Sequence, residues 1–279
     1  MHRALIQSLR WLDVRMVYLV CSLFVIPVCL LLNTNHSRTS AYAFYRHRLG
    51  YGKLRAAWSV YLNHCVFSWV VVDRFAVFAG KHFRLEMEGE EHFRRLEAEP
   101  EGFLVFSSHI GCYEVAGYSL TSKTKRFNAL VFGGEKATVM AGRQKVLGHH
   151  NIRMIPVKDD MSHLFLVNKA LDDSEIVSMP ADRIIGSAKT VTARFLGADA
   201  RFPAAPFSVA AMKGLDVLAV NVMKTSVRGY KVYVARLSYD RRAPRRQQMQ
   251  QLADSYVKEL ERRVRQYPLQ WFNFHDFWS

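Results

Sequence analysis

Residues 102–118 read GFLVFSSHIGCYEVAGY, and the order of residue types within them decides the fold. Residues 103–106 form a short, unbroken apolar run, the pattern of a strand buried on both faces. Ser107, Ser108 and His109 follow as a loop. Gly111 then offers a permissive backbone position before a helix-compatible segment that carries Glu114. Outward from this unit, similar β-rich runs recur at 129–132, 154–157, 176–179, 217–222 and 230–235. Helix-compatible segments, 136–147 and 162–171, lie between them, and 245–266 reads as a long charged helix that Pro268 ends. Strands alternating with helices at this spacing predict an α/β fold with a mixed sheet flanked by helices.

The chain has 279 residues, half of them hydrophobic and 13% aromatic, which suffices for a substantial core and excludes disorder as the main state. With 39 Lys and Arg against 24 Asp and Glu, the net charge is +15, so the partner is expected to be anionic. Nucleic acid, a phospholipid surface, an acidic protein and a phosphorylated substrate all qualify on charge, but no nucleic-acid motif is visible. Cys21, Cys29, Cys65 and Cys112 include no CxxC pair. Neither a zinc site nor a disulfide framework follows from them, and the simplest location is reducing and cytoplasm-facing.

Residues 16–32, MVYLVCSLFVIPVCLLL, carry no charge. As a helix they would reach about 25 Å, slightly short of a hydrocarbon core about 30 Å thick. A membrane anchor, a buried core helix and a signal peptide compete as readings, the last without a clean cleavage site. Arg38, Arg46, Arg48, Lys53 and Arg55 follow the run, against Arg3, Arg10 and Arg15 before it, which favours a cytoplasmic main body. Residues 40–80 alternate aromatic and basic positions as amphipathic helices broken near Gly50 and Gly52. They either pack on a core or touch anionic lipid. The expected organisation is a membrane anchor segment at 1–34, basic helices at 35–80 and a catalytic domain at 81–279.

The chemistry is expected at His109. In one continuous helix His109 and Glu114 would diverge by about 140°, so a bend at Gly111 is needed for them to meet. A carboxylate on one imidazole nitrogen fixes the tautomer and leaves the other nitrogen as a general base. Such a dyad lacks a protein nucleophile, so the attacking group would be a substrate hydroxyl or amine. Cys112 is a rival nucleophile. A non-catalytic basic membrane-binding protein is the alternative from another class, but it leaves His109 and Glu114 unexplained.

SSHIGCYE resembles the HxxxxE signature of the lipid A biosynthesis acyltransferases, the late LpxL/HtrB-type enzymes of the lysophospholipid acyltransferase superfamily. Three further stretches agree in order. MAGRQKVLG (140–148) resembles the family's second block, with Arg143 at its arginine; SMPADRIIGSAKTVTARFLG (178–197) resembles its "pDq…g…v.FFG" block, with Asp182 at the acidic position. QYPLQWFNFHDFW (266–278) resembles the C-terminal ending, with Pro268, Gln270, Trp271 and His275 in register. Cys112 stands where an asparagine is usual, and Phe132, Gly133, Gly134 and Glu135 replace a tyrosine-arginine-proline turn, with Lys136 next to them as a substitute charge.

The resemblance implies a glycerolipid acyltransferase-like fold, with an N-terminal membrane-associated helix, at a bacterial inner membrane. The catalytic domain would face the cytoplasm. It implies acyl transfer from acyl-carrier protein to a hydroxyl of a lipid A precursor, with His109 and Glu114 catalytic and no metal or cofactor. Arg143, Asp182 and Lys136 would bind the anionic lipid acceptor, although Asp182 could instead fix Arg183 or Arg143 or cap a loop. Gln270, Trp271 and His275 would close the domain edge by packing. Another acceptor, such as an aminolipid or lysophospholipid, and a coenzyme A donor fit the same pattern.

Overall fold

The apolar run of the opening stretch forms strand β2 (Phe103–Ser107), whose first four residues are buried. The computed structural model describes residues 2–33, 36–112, 120–132, 151–157, 160, 162–184 and 189–278. The other strands are β1 (Arg84–Glu88), β3 (Phe127–Phe132), β4 (Ile152–Val157), β5 (Ile176–Pro180), β6 (Thr190–Phe195), β7 (Ala198–Pro203), β8 (Val217–Ser226) and β9 (Gly229–Leu237). Seven of them make one sheet in the order β1-β9-β8-β2-β5-β3-β4, while β6 and β7 form a separate hairpin. Neighbours in the large sheet run parallel except β8 and β9, which are antiparallel. The sheet is therefore mixed, as the sequence predicts.

Helices cover both faces. They are α1 (His2–Trp11), α2 (Val14–Leu32), α3 (Ser37–Ala43), α4 (Lys53–Phe78), α5 (Glu90–Ala98), α6 (His163–Asp172), α7 (Ala204–Lys213) and α8 (Arg245–Gln266). Side chains alternate along β2, as a strand requires. Leu104 and Phe106 pack with Phe207 of α7 and Tyr256 and Leu260 of α8, whereas Phe103 and Val105 pack with Phe93 and Leu96 of α5. The first of these cores also takes in Ala41 of α3, Phe44, Tyr45, and Ala56 and Val60 of α4. Residues 35–80 thus share a core with the sheet.

The N-terminal segment lies against α4. Leu9, Val14 and Tyr18 pack on Val72, Phe75 and Ala76. Tyr61 Oη donates to the Ser22 carbonyl at 2.9 Å and Trp69 Nε1 to Ser22 Oγ at 3.0 Å. Pro27 cannot donate to the helical ladder, and the turn before it widens into a π-helix at Cys21–Val25, with the Ile26 N–H reaching back to the Cys21 carbonyl. Only 17% of the apolar window in α2 is buried; Phe24, Leu31 and Leu32 point outward, as do Leu54 and Trp58 of α4.

Beneath this contact lies a buried polar cluster. Lys224 of β8 donates from Nζ to Asp73 Oδ2 of α4 at 2.6 Å, and the hydroxyls of Tyr18 and Tyr230 also donate to Asp73. Asp73 is completely inaccessible. Burial pushes its pKa up despite Lys224, and burial pushes the pKa of Lys224 down despite Asp73.

Candidate active site

The register of two neighbouring strands builds the site. β2 and β5 are parallel, with Phe106 opposite Met179 and Ser107 opposite Pro180. The Ala181 N–H extends the ladder by donating to the Ser107 carbonyl at 3.0 Å. His109 and Asp182 each stand two positions past the paired Ser107 and Pro180, so they emerge side by side at the carboxyl ends of adjacent strands. Ligand sites of open α/β sheets sit at such ends.

Asp182 grips His109 twice. Its Oδ1 accepts from the ring Nδ1 at 2.8 Å, and its Oδ2 accepts from the backbone N–H of the same residue at 2.6 Å. The Asp182 side chain is 2% exposed and that of His109 is 24% exposed. Burial alone would raise the Asp182 pKa, but the charge of His109 and these two hydrogen bonds outweigh it, and the carboxyl is held below its ordinary value. An ionised carboxylate can only accept, so Nδ1 carries the proton of this hydrogen bond.

The loop that presents the ring is held from two further sides. Gly111 has φ 64°, and a Cβ there would lie 2.0 Å from the Val222 carbonyl, so only glycine lets this backbone meet β8. The Cys112 N–H donates to that carbonyl at 2.8 Å. On the other side, the Gly111 N–H donates to the Gln270 carbonyl at 2.8 Å, and Ile110 bridges to Trp271. Gln270 clasps the Lys224 backbone through its side-chain amide, accepting at 2.9 Å and donating at 2.7 Å. Ser108 Oγ donates to Asn221 Oδ1 at 2.5 Å, and Tyr256 Oη to the Ser107 carbonyl at 3.1 Å. A cavity of about 300 Å³ opens beside His109, between α4 and residues 272–274.

Sequence similarity decides the family. The chain matches the bacterial lipid A biosynthesis acyltransferase family over residues 67–279. It belongs to that family. The protein is therefore an acyltransferase of the lipid acyltransferase superfamily, a membrane-associated group, and its one long apolar helix among the described residues is α2. None of the curated proteins compared with it matches. Among solved structures it is similar to the 1-acyl-sn-glycerophosphate (LPA) acyltransferase PlsC from Thermotoga maritima, at 12% identity and a TM-score of 0.39 over 97% of this chain and 99% of that one. Likeness at that level bears on neither substrate nor site.

In this acyltransferase the carboxylate on His109 Nδ1 is Asp182, which the sequence places at the substrate. Asp182 therefore orients the ring and its backbone, and does so from behind the cavity wall. Glu114, Lys136 and Arg143 lie outside the described residues. Cys112 is buried and lines the cavity with His109. Trp271 packs edge-on against Phe44, Phe195 and Phe277. Burial, reinforced by the charge of Arg183, pushes the His275 pKa down. Two charged residues of the cavity are not expected there from the sequence: Arg74 of α4, and Arg183, which the sequence reading names only as a residue that Asp182 could fix. Arg74 is hidden in an aromatic helix, and only the i, i+3, i+4, i+7 spacing of Phe67, Val70, Val71 and Arg74 could have marked it as facing inward with them.

Proposed function

We propose that this acyltransferase moves a fatty acyl chain from acyl-carrier protein to a hydroxyl of a lipid A precursor, at a bacterial inner membrane and from its cytoplasmic face. The observation that supports the reading best is the fixed tautomer of His109 at the wall of an accessible cavity. Nε2 accepts the proton of the acceptor hydroxyl as the oxygen attacks the thioester carbonyl. The tetrahedral intermediate collapses, the carbon–sulfur bond breaks, and the thiolate of the carrier recovers the proton from His109. Asp182 stabilises the imidazolium between these events without taking the proton. Arg143 and Lys136 add positive charge for a phosphorylated acceptor, and Glu114 supports the same step from the segment after Gly111.

The placement of α2 supports the membrane setting. Residues on both sides of its apolar stretch dock on the same body, Leu9 on Val72, Phe75 and Ala76, and Ala41 in the core of the sheet. A helix tied down at both ends lies in one leaflet with its outer side in lipid. The excess of positive charge suits that surface and an acidic carrier.

The test is to incubate the full chain in detergent micelles with acyl-loaded carrier protein and a lipid A precursor, and to weigh the lipid product. Gain of one acyl chain is expected. Loss of a chain from a different lipid in cells lacking the gene, with lipid A unchanged, would reassign the acceptor.

A further inference from the structure

We propose that Arg74 and Arg183 form a two-arginine clamp for a phosphate of the lipid acceptor, in the cavity that His109 lines; the proposal rests on the acyl-transfer reading above. The two arginines come from different elements and line the same cavity of about 300 Å³. Phe67, Val70, Val71 and Arg74 recur at one-face spacing along α4, so the guanidinium continues an otherwise apolar wall. Facing them are Phe272, Phe274 and Arg183.

Among the described residues Arg183 is held by a single hydrogen bond, from Nη2 to the Phe272 carbonyl at 3.1 Å. Its Nε is buried and lacks a hydrogen-bond partner among the described residues, where it also forms no ion pair. The neighbouring carboxylate, Asp182, has both oxygens committed to His109. An unbonded Arg183 N–H beside a second arginine on the same cavity suits a ligand that brings negative charge and several acceptor oxygens, which describes phosphate.

The acceptor fits better than the donor. The hydroxyl that yields its proton must reach His109, so the molecule in this cavity is the one that carries the hydroxyl. A carrier's phosphate is separated from its thioester by the full pantetheine arm and falls outside so small a space.

The test uses Arg74→Gln, Arg183→Gln and the double variant, each with a phosphorylated lipid A precursor and with the same glycolipid after removal of its phosphates. Each single change should raise KM for the phosphorylated acceptor about tenfold, the loss of one charge-assisted contact. Values for kcat, for the dephosphorylated acceptor and for the carrier KM should stay within about twofold. A double variant with the ordinary KM for the phosphorylated lipid overturns the clamp, as does a rise confined to the carrier KM. A misfolded variant would lose both acceptors alike. Equilibrium binding of the phosphorylated glycolipid to His109→Ala, with and without the arginine changes, separates the two readings. If the unaltered protein transfers no chain, weaker binding on loss of the arginines still supports the clamp, and unchanged binding overturns it.

Discussion

Two buried carboxyl groups, each with a basic partner, sit in this molecule, and the balance between burial and partner differs between them. At His109 and Asp182 the partner wins: the carboxyl is held below its ordinary value although burial opposes it. At Asp73 and Lys224 burial wins, and both groups are pushed toward their neutral forms. The difference lies in what surrounds each carboxylate. Asp182 collects two N–H donors from one residue whose ring faces a cavity. Asp73 is itself completely inaccessible and takes its hydrogen bonds from three separate residues, Tyr18, Tyr230 and Lys224. A buried acid–base pair is therefore no mark of catalysis by itself.

Mutation should affect the two pairs differently, one through turnover and the other through stability. His109→Ala should lower acyl transfer by about 10²–10⁴-fold, and Asp182→Asn by about 10²-fold, because an amide cannot accept from both the ring and the backbone. The check is single-turnover transfer on protein whose unfolding midpoint is also recorded. Lys224→Met should leave Asp73 buried and unpaired, costing about 3–5 kcal/mol of stability. It should reduce activity only through the folded fraction, measured by denaturant titration in micelles. Comparable loss of turnover in fully folded Lys224→Met would erase the distinction.

Acid titration sharpens it further, because the signs are opposite. The stability that Asp182 contributes is present above the ordinary carboxylate value of about 3.9 and is lost as the pH falls through its lower folded value. Asp73, raised in the fold, contributes stability that is present below that ordinary value and lost as the pH rises through its folded value. Asp182→Asn should thus flatten the acid limb of a stability–pH curve, whereas Asp73→Asn should steepen it. The smallest effect is expected from Tyr18→Phe, about 1 kcal/mol for one hydrogen bond to Asp73, seen as an earlier unfolding midpoint. Removing residues 1–34 should do more, uncovering Val72, Phe75 and the Asp73 carboxylate together.

Much of this was legible in the chain. The five other strand runs read from the sequence all form strands, 176–179 within β5 and 230–235 within β9, and the helix at 245–266 spans Arg245–Gln266. The segment 136–147 lies outside the described residues. Unread were β1, whose RLEME carries three charges at a sheet edge, and the hairpin of β6 and β7. Edge strands need no apolar face, so periodicity misses them. His109 could be found because a loop after a buried strand is a local signal. Asp182 was singled out, but its contact with His109 depends on the register of β2 and β5, which no local pattern encodes. For the same reason nothing in residues 1–80 foretold that Asp73 would meet Lys224.

The pairing of Ile110 with Trp271 also governs timing. On the ribosome the His109 loop emerges long before the stretch that zips onto it, and so distant a contact closes among the last in folding. The His109 loop therefore stays half enclosed until residues 270–272 have been made and paired with it.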